Sequence, residues 1–128
     1  MTTPASLLII DDEERIRQLL LDFFDDYDEF STRACASAEE ALAELERRPA
    51  DLCIVDLRLP GMNGQQFIET AHARGLCRHF LLHTGSTDFG LSPGLAAIGV
   101  GPADIFLKPA DTDGLLARLR TLLQSPGA

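Results

Sequence analysis

Asp51-Leu52-Cys53-Ile54-Val55-Asp56-Leu57-Arg58-Leu59-Pro60-Gly61-Met62-Asn63-Gly64 is the stretch on which the fold turns. Leu52 to Val55 is apolar without polar alternation, the pattern of a central parallel strand covered on both faces. The run closes on a carboxylate, Asp56. Leu59 to Gly64 then has the composition of a turn, and Phe67, Ile68 and Ala71 follow at helical spacing, a helix that ends near Gly75. Strand, acid-bearing loop and helix thus stand in order.

Working outward, the same order repeats. Leu7 to Ile10 is a short apolar run, Asp11 to Glu14 an acidic loop, and Ile16, Leu19, Leu20, Phe23 and Phe24 recur as the buried face of a helix. Phe30 to Ala36 reads as a strand. Ser37 with Glu40 forms a capping box for a helix from Ala38 to about Arg47, broken by Pro49. Downstream, Phe80 to Thr84 and Ile105 to Leu107 read as the fourth and fifth strands. A last helix from Thr112 or Asp113 gathers Leu115, Leu116, Leu119, Leu122 and Leu123 on one face. Between Thr84 and Ile105, Pro93, Gly94, Gly99, Gly101 and Pro102 leave only Leu95 to Ile98 firmly helical. This alternation predicts an α/β fold, a doubly wound parallel sheet of five strands with right-handed crossovers and helices on both faces. Ligands then belong beyond the carboxyl ends of the strands.

Composition bounds the reading. At 128 residues and 45% hydrophobic content the chain suits one globular domain, with its core from about residue 7 to 124. Twenty acids against eleven cations give a net charge of −9, and the cations are scattered, which argues against direct binding of nucleic acid or anionic membrane. Four contiguous apolar residues near the start are too few for a secretory core, and no long apolar run follows, so a soluble cytoplasmic protein is expected. Cys35, Cys53 and Cys77 lack metal-knot spacing and read as small hydrophobes in a reducing compartment. Ten of the eleven cations are arginines; Lys108 is the sole lysine.

In such a sheet Asp11 and Asp12 end the first strand, Asp56 the third, Thr84 the fourth and Lys108 the fifth. Three converging carboxylates repel one another unless a cation neutralises them, and an all-oxygen set favours Mg²⁺ over zinc. Each residue has a plainer reading alone: solubilising loop acids, a turn aspartate, an ordinary β threonine, a solvated strand-end lysine. Convergence at one sheet edge favours the functional reading. His72, His79 and His83 are split between helix and strand without a completing ligand and read as structural. His83, adjacent to Thr84, points to the opposite, apolar side, where its ring nitrogens need partners.

The motifs LLIIDDEE, DLCIVDLRLPGMNG, LLHTGS and IFLKPAD resemble those of the receiver domain of bacterial two-component response regulators, from Leu7 to about Gln124. The resemblance implies a flavodoxin-like sheet of order 2-1-3-4-5 and a phosphorelay role. Asp56 would accept a phosphoryl group from a histidine kinase or histidine phosphotransfer protein. Asp11, Asp12, Asp56 and the backbone carbonyl of Arg58 would hold Mg²⁺. Thr84 and Lys108 would contact the phosphoryl oxygens, with a cis Lys108-Pro109 bond following. Phosphorylation would change affinity for a downstream protein or effector domain, with slow self-dephosphorylation; a phosphorylation-dependent dimer is left open. Arg58 and Ser86 would flank the route of the attacking water. The sequence departs from the family where an aromatic residue commonly stands three positions before the lysine: here Ile105 occupies that place, and Phe106 is expected in the core. A phosphorylation-independent interaction domain is the alternative reading. A stand-alone magnesium phosphatase lacks a second acid two residues after Asp56, where Arg58 stands.

Overall fold

Leu7, Leu8, Ile9 and Ile10 are all fully buried, yet they do not share one environment. Successive strand side chains point to opposite faces, so Leu8 and Ile10 enter one apolar cluster while Leu7 and Ile9 enter another. The same division splits Cys53 and Val55 from Leu52 and Ile54. Continuous apolar runs therefore specify strands sandwiched between helices on both sides.

The computed structural model describes residues 3–85, 92–108 and 110–124. Strands β1 (Ala5–Ile10), β2 (Phe30–Cys35), β3 (Ala50–Val55), β4 (Cys77–Thr84) and β5 (Ile105–Leu107) alternate with helices α1 (Glu14–Asp25), α2 (Ala38–Arg47), α3 (Gly64–Ala73), α4 (Pro93–Ile98) and α5 (Thr112–Gln124). The strands form one sheet of order β2-β1-β3-β4-β5, and every neighbouring pair is parallel. The doubly wound sheet expected from the sequence is thus the fold. Residues of α2, α3 and α4 cover one face; residues of α1 and α5 cover the other.

The helix ends follow local chemistry. Ser37 Oγ accepts the Glu40 N–H at 3.1 Å, capping α2. Asn63 Oδ1 accepts the Gln66 N–H, and Gln66 Oε1 accepts the Asn63 N–H in return, so α3 starts on a complete capping box. Gly75, at φ +67°, lets the chain leave α3 through a left-handed turn.

Three details differ from the sequence reading. β4 begins at Cys77, three residues before Phe80, because Cys77 already pairs with Ala50 although Arg78 is exposed. Helix α4 begins at Pro93 rather than Leu95: a proline in the first turn sacrifices no intrahelical bond, and Ser92 Oγ caps the helix by accepting the Leu95 N–H. Phe106 is half-buried rather than fully enclosed, since β5 is an edge strand; it packs towards the α1/α5 side and Ile105 towards the other. Ser86 and the Lys108-Pro109 bond lie outside the described residues.

Candidate functional site

The sheet ladder extends past its strand ends into the site. Asp11 N–H donates to Cys35 O (3.2 Å), Asp56 N–H to Ile10 O (2.9 Å) and Lys108 N–H to Thr84 O (2.8 Å). Asp11, Asp56, Thr84 and Lys108 are therefore held by backbone to neighbouring strands, which is more rigid than a loop placement. Gly64 tightens the arrangement. A Cβ there would stand 2.4 Å from Asp56 O, so α3 approaches the end of β3 as closely as backbone allows.

Asp11, Asp12, Glu13 and Asp56 each offer a carboxylate oxygen, all within 4.8 Å of one another. Asp11 and Asp56 are buried, Asp12 and Glu13 exposed. Lys108 Nζ lies among them, 2.8 Å from Asp11 Oδ2, 3.1 Å from Asp56 Oδ2 and 3.3 Å from Glu13 Oε1. The second oxygens of the buried pair are also occupied: Asp11 Oδ1 accepts the Glu13 N–H at 2.9 Å, and Asp56 Oδ1 the Arg58 N–H at 3.2 Å. Arg17 Nη1 donates to Asp11 O at 2.8 Å, fixing the backbone from α1. Thr84 is fully buried and ends β4 beside Lys108. Arg58 is exposed and, with Asp12, Pro60 and Asn63, lines an open groove of about 630 Å³ next to the acids.

The cluster is short of positive charge. Two like charges 4.8 Å apart repel by roughly 3 kcal/mol at the effective dielectric of a protein surface, and the Lys108 ammonium meets three of the four carboxylates. Burial pushes the Asp56 carboxyl up; Lys108 pulls it down, Asp11 pushes it further up, and the upward effects prevail. Burial disfavours the Lys108 ammonium, but its bonds and attraction to Asp11 and Asp56 outweigh that and hold its proton more firmly than in an ordinary lysine. The set fits a hard divalent cation: clustered carboxylate oxygens, excess negative charge, and neither His nor Cys within the group.

Asp11, Asp12, Asp56, Thr84 and Lys108, singled out in the sequence, thus lie at one end of the sheet, with the Arg58 backbone against Asp56. Glu13, which joins them, has no role in the sequence reading beyond being one acid of the loop after β1. Its signal was weak, because the reach of its side chain to Lys108 depends on where β5 ends. His83 is buried on the opposite side of β4 from Thr84, and neither ring nitrogen has a hydrogen-bond partner among the described residues. Burial, reinforced by Lys108, depresses the imidazole to about 4. His72 sits exposed on α3 and His79 half-buried near the start of β4; the three cysteines are free and buried.

A model of the response regulator receiver domain matches residues 7–120. The chain belongs to this family. Its relatives include the sensory transduction protein RegX3 of Mycolicibacterium smegmatis, 31% identical over 94% of this chain and 51% of that protein. Response regulator Rre1 of Synechocystis is 34% identical over 96% of this chain and 53% of its own length. The chain spans about half the length of these curated relatives. Among solved structures, a response regulator receiver protein from Pseudomonas putida superposes with a TM-score of 0.80 at 26% identity, covering 94% of this chain and 99% of that one. This receiver domain carries a cluster of carboxylates able to hold a divalent metal ion, consistent with the phosphoaspartate chemistry typical of response regulators. No helix among its described residues is long and apolar enough to cross a membrane.

Proposed function

We propose that this receiver domain, with its core at about residues 7–124, accepts a phosphoryl group on Asp56 from the phosphohistidine of a kinase or phosphotransfer protein in the cytoplasm. The observation that carries the proposal is the Lys108 ammonium 3.1 Å from Asp56 Oδ2 inside a four-acid cluster, in a chain of this family.

Asp56 is positioned as the nucleophile by its ladder bond to Ile10 and by the Arg58 N–H on Oδ1. Its oxygen forms a bond to phosphorus as the phosphorus–nitrogen bond of the donor breaks, and the imidazole leaves with a proton. Lys108 supplies a fixed positive charge for the phosphoryl oxygens, and Thr84 a hydroxyl at the adjoining strand end. Asp11, Asp12, Asp56 and the Arg58 carbonyl would hold Mg²⁺, which when bound offsets the negative charge that gathers during phosphoryl transfer. Water later attacks the acyl phosphate, releasing inorganic phosphate and restoring Asp56. The phosphorylated domain differs in affinity for a downstream protein or effector domain, which is how the signal leaves it.

The test incubates wild type and Asp56→Asn with Mg²⁺ and either a small acyl-phosphate donor or beryllofluoride, and reads intact mass and amide shifts. Wild type gains one phosphoryl mass and shifts around β3, β4 and β5, whereas Asp56→Asn does neither. If wild type responds to neither reagent, or the variant responds equally, the proposal fails.

A further inference from the structure

The loop from Leu57 to Asn63 carries Arg58 past the acidic cluster, and its anchoring is uneven. Near its start Leu57 and Leu59 are buried, and at its end Asn63 is fixed by the α3 capping box. The apex, Pro60 and Gly61, is exposed. Glu39, in the first turn of α2, reaches it from elsewhere in the fold and accepts the Met62 N–H on Oε2 at 3.0 Å.

The fit of that carboxylate is specific. A Cβ at Gly61 would stand 2.7 Å from the same Oε2, and Gly61 adopts φ +74°, a conformation that L side chains rarely take. Glycine therefore makes the turn and leaves the space that Glu39 fills. The Met62 N–H, with a lesser effect from Glu39's own backbone N–H, holds the carboxyl below its ordinary value. Glu39 is exposed, and its carboxylate meets the loop at the Met62 N–H and the Gly61 position, neither of them a reacting group.

We propose that Glu39 is a positioning residue for the metal site: its carboxylate, seated in the space that Gly61 leaves, fixes the loop that presents the Arg58 backbone beside Asp56. The inference rests on the Mg²⁺-dependent reading above. It makes α2 a lever on the cation site, because whatever displaces Glu39 loosens the loop, and cation binding tightens the Glu39 contact in return.

The test compares wild type, Glu39→Ala and Glu39→Gln, the last retaining a neutral acceptor. Three quantities are read: hydrogen exchange at the Met62 amide, the urea midpoint, and the Mg²⁺ dissociation constant from amide shifts around Asp56. Glu39→Ala is expected to speed Met62 exchange about fivefold, as one hydrogen bond is lost. It should weaken Mg²⁺ binding about threefold, a small factor because the tether is solvent-exposed. The urea midpoint falls by no more than this one exposed hydrogen bond accounts for, and Glu39→Gln falls between wild type and Glu39→Ala in the other two measurements. Unchanged Met62 exchange, or faster exchange with wild-type Mg²⁺ affinity, overturns the inference. So does a loss of affinity accompanied in both variants by a fall in the urea midpoint well beyond one hydrogen bond, which is general destabilisation. If wild type itself shows no Asp56-centred response to Mg²⁺, the Mg²⁺-dependent reading fails and this inference with it; a wild-type response that Glu39→Ala leaves unmoved overturns the inference alone.

Discussion

Gly64→Ala adds one methyl group where the fold has no room for it. The new Cβ would meet Asp56 O at 2.4 Å, Leu57 Cα at 2.7 Å and the Asp56 carbonyl carbon at 3.1 Å, all of them backbone atoms. No rotamer change relieves such contacts, so α3 and the end of β3 must separate. Overpacking of this kind costs about 1–3 kcal/mol, and the upper half of that range is expected because every obstacle is main chain. Alanine gains up to about 1 kcal/mol of helix propensity in a helix interior, and less at Gly64, the first residue of α3. The expected net loss is therefore about 2 kcal/mol, or a fall in Tm of roughly 5–10 °C for a domain of this size. Urea titration checks it, with the midpoint falling and the slope constant. Gly75→Ala is the matched control: the same chemical change, open space around the Cβ, and a φ of +67° that costs about 1 kcal/mol. Because Gly64 abuts Asp56, its substitution should also weaken Mg²⁺ binding, whereas Gly75→Ala should not. A Gly64→Ala protein as stable as wild type, with equal Mg²⁺ affinity, would refute the claim that α3 is seated directly on the end of β3.

Three further outcomes are expected. His83, at about 4 when folded against an ordinary 6.5, binds its proton more readily in the unfolded chain; its contribution to stability is complete above pH 6.5 and is lost as pH falls towards 4, by up to about 3 kcal/mol. His83→Leu should flatten that acid limb in urea titrations across this window, and an unchanged limb would show that other groups set it. Asp56 acts in the opposite sense: its carboxyl is raised in the fold by burial, so the charged form opposes folding above the raised value and the opposition fades on acidification. Asp56→Asn should accordingly match or exceed wild-type stability at neutral pH and lose that advantage in acid; a variant clearly less stable at pH 7 contradicts this. Lys108→Met removes the ammonium shared by Asp11, Asp56 and Glu13 and should cost about 1–3 kcal/mol in Mg²⁺-free buffer, with added Mg²⁺ raising the Tm of the variant more than that of wild type. Equal Mg²⁺ shifts in the two proteins would show that lysine and cation do not serve the same charges.

The apolar runs ending in Asp11, Asp56, Thr84 and Lys108 made both sheet and site legible, because burial on two faces demands uninterrupted hydrophobic strands and parallel topology brings their carboxyl ends together. The edges of elements were less legible. Arg78 and His79 look like loop residues, yet the backbone of β4 pairs with β3 through them whatever their side chains do. Pro93 reads as a breaker until its place at the start of α4 is known. Glu13 escaped for a different reason. An exposed acid next to two others carries no directional information, and its contact with Lys108 arises from residues 95 apart in the chain. Glu39 was hidden in the same way, since the gap it fills belongs to Gly61 on another element.

The arginine-only surface has a practical meaning. Apart from the terminal amine, Lys108 is the one aliphatic amine in the molecule, and its side chain is 13% exposed between Asp11 and Asp56. A uniformly labelled sample therefore yields one lysine side-chain resonance that needs no assignment and reports from the centre of the site. The protein carries its own spectroscopic probe, placed where cation and phosphoryl group would arrive.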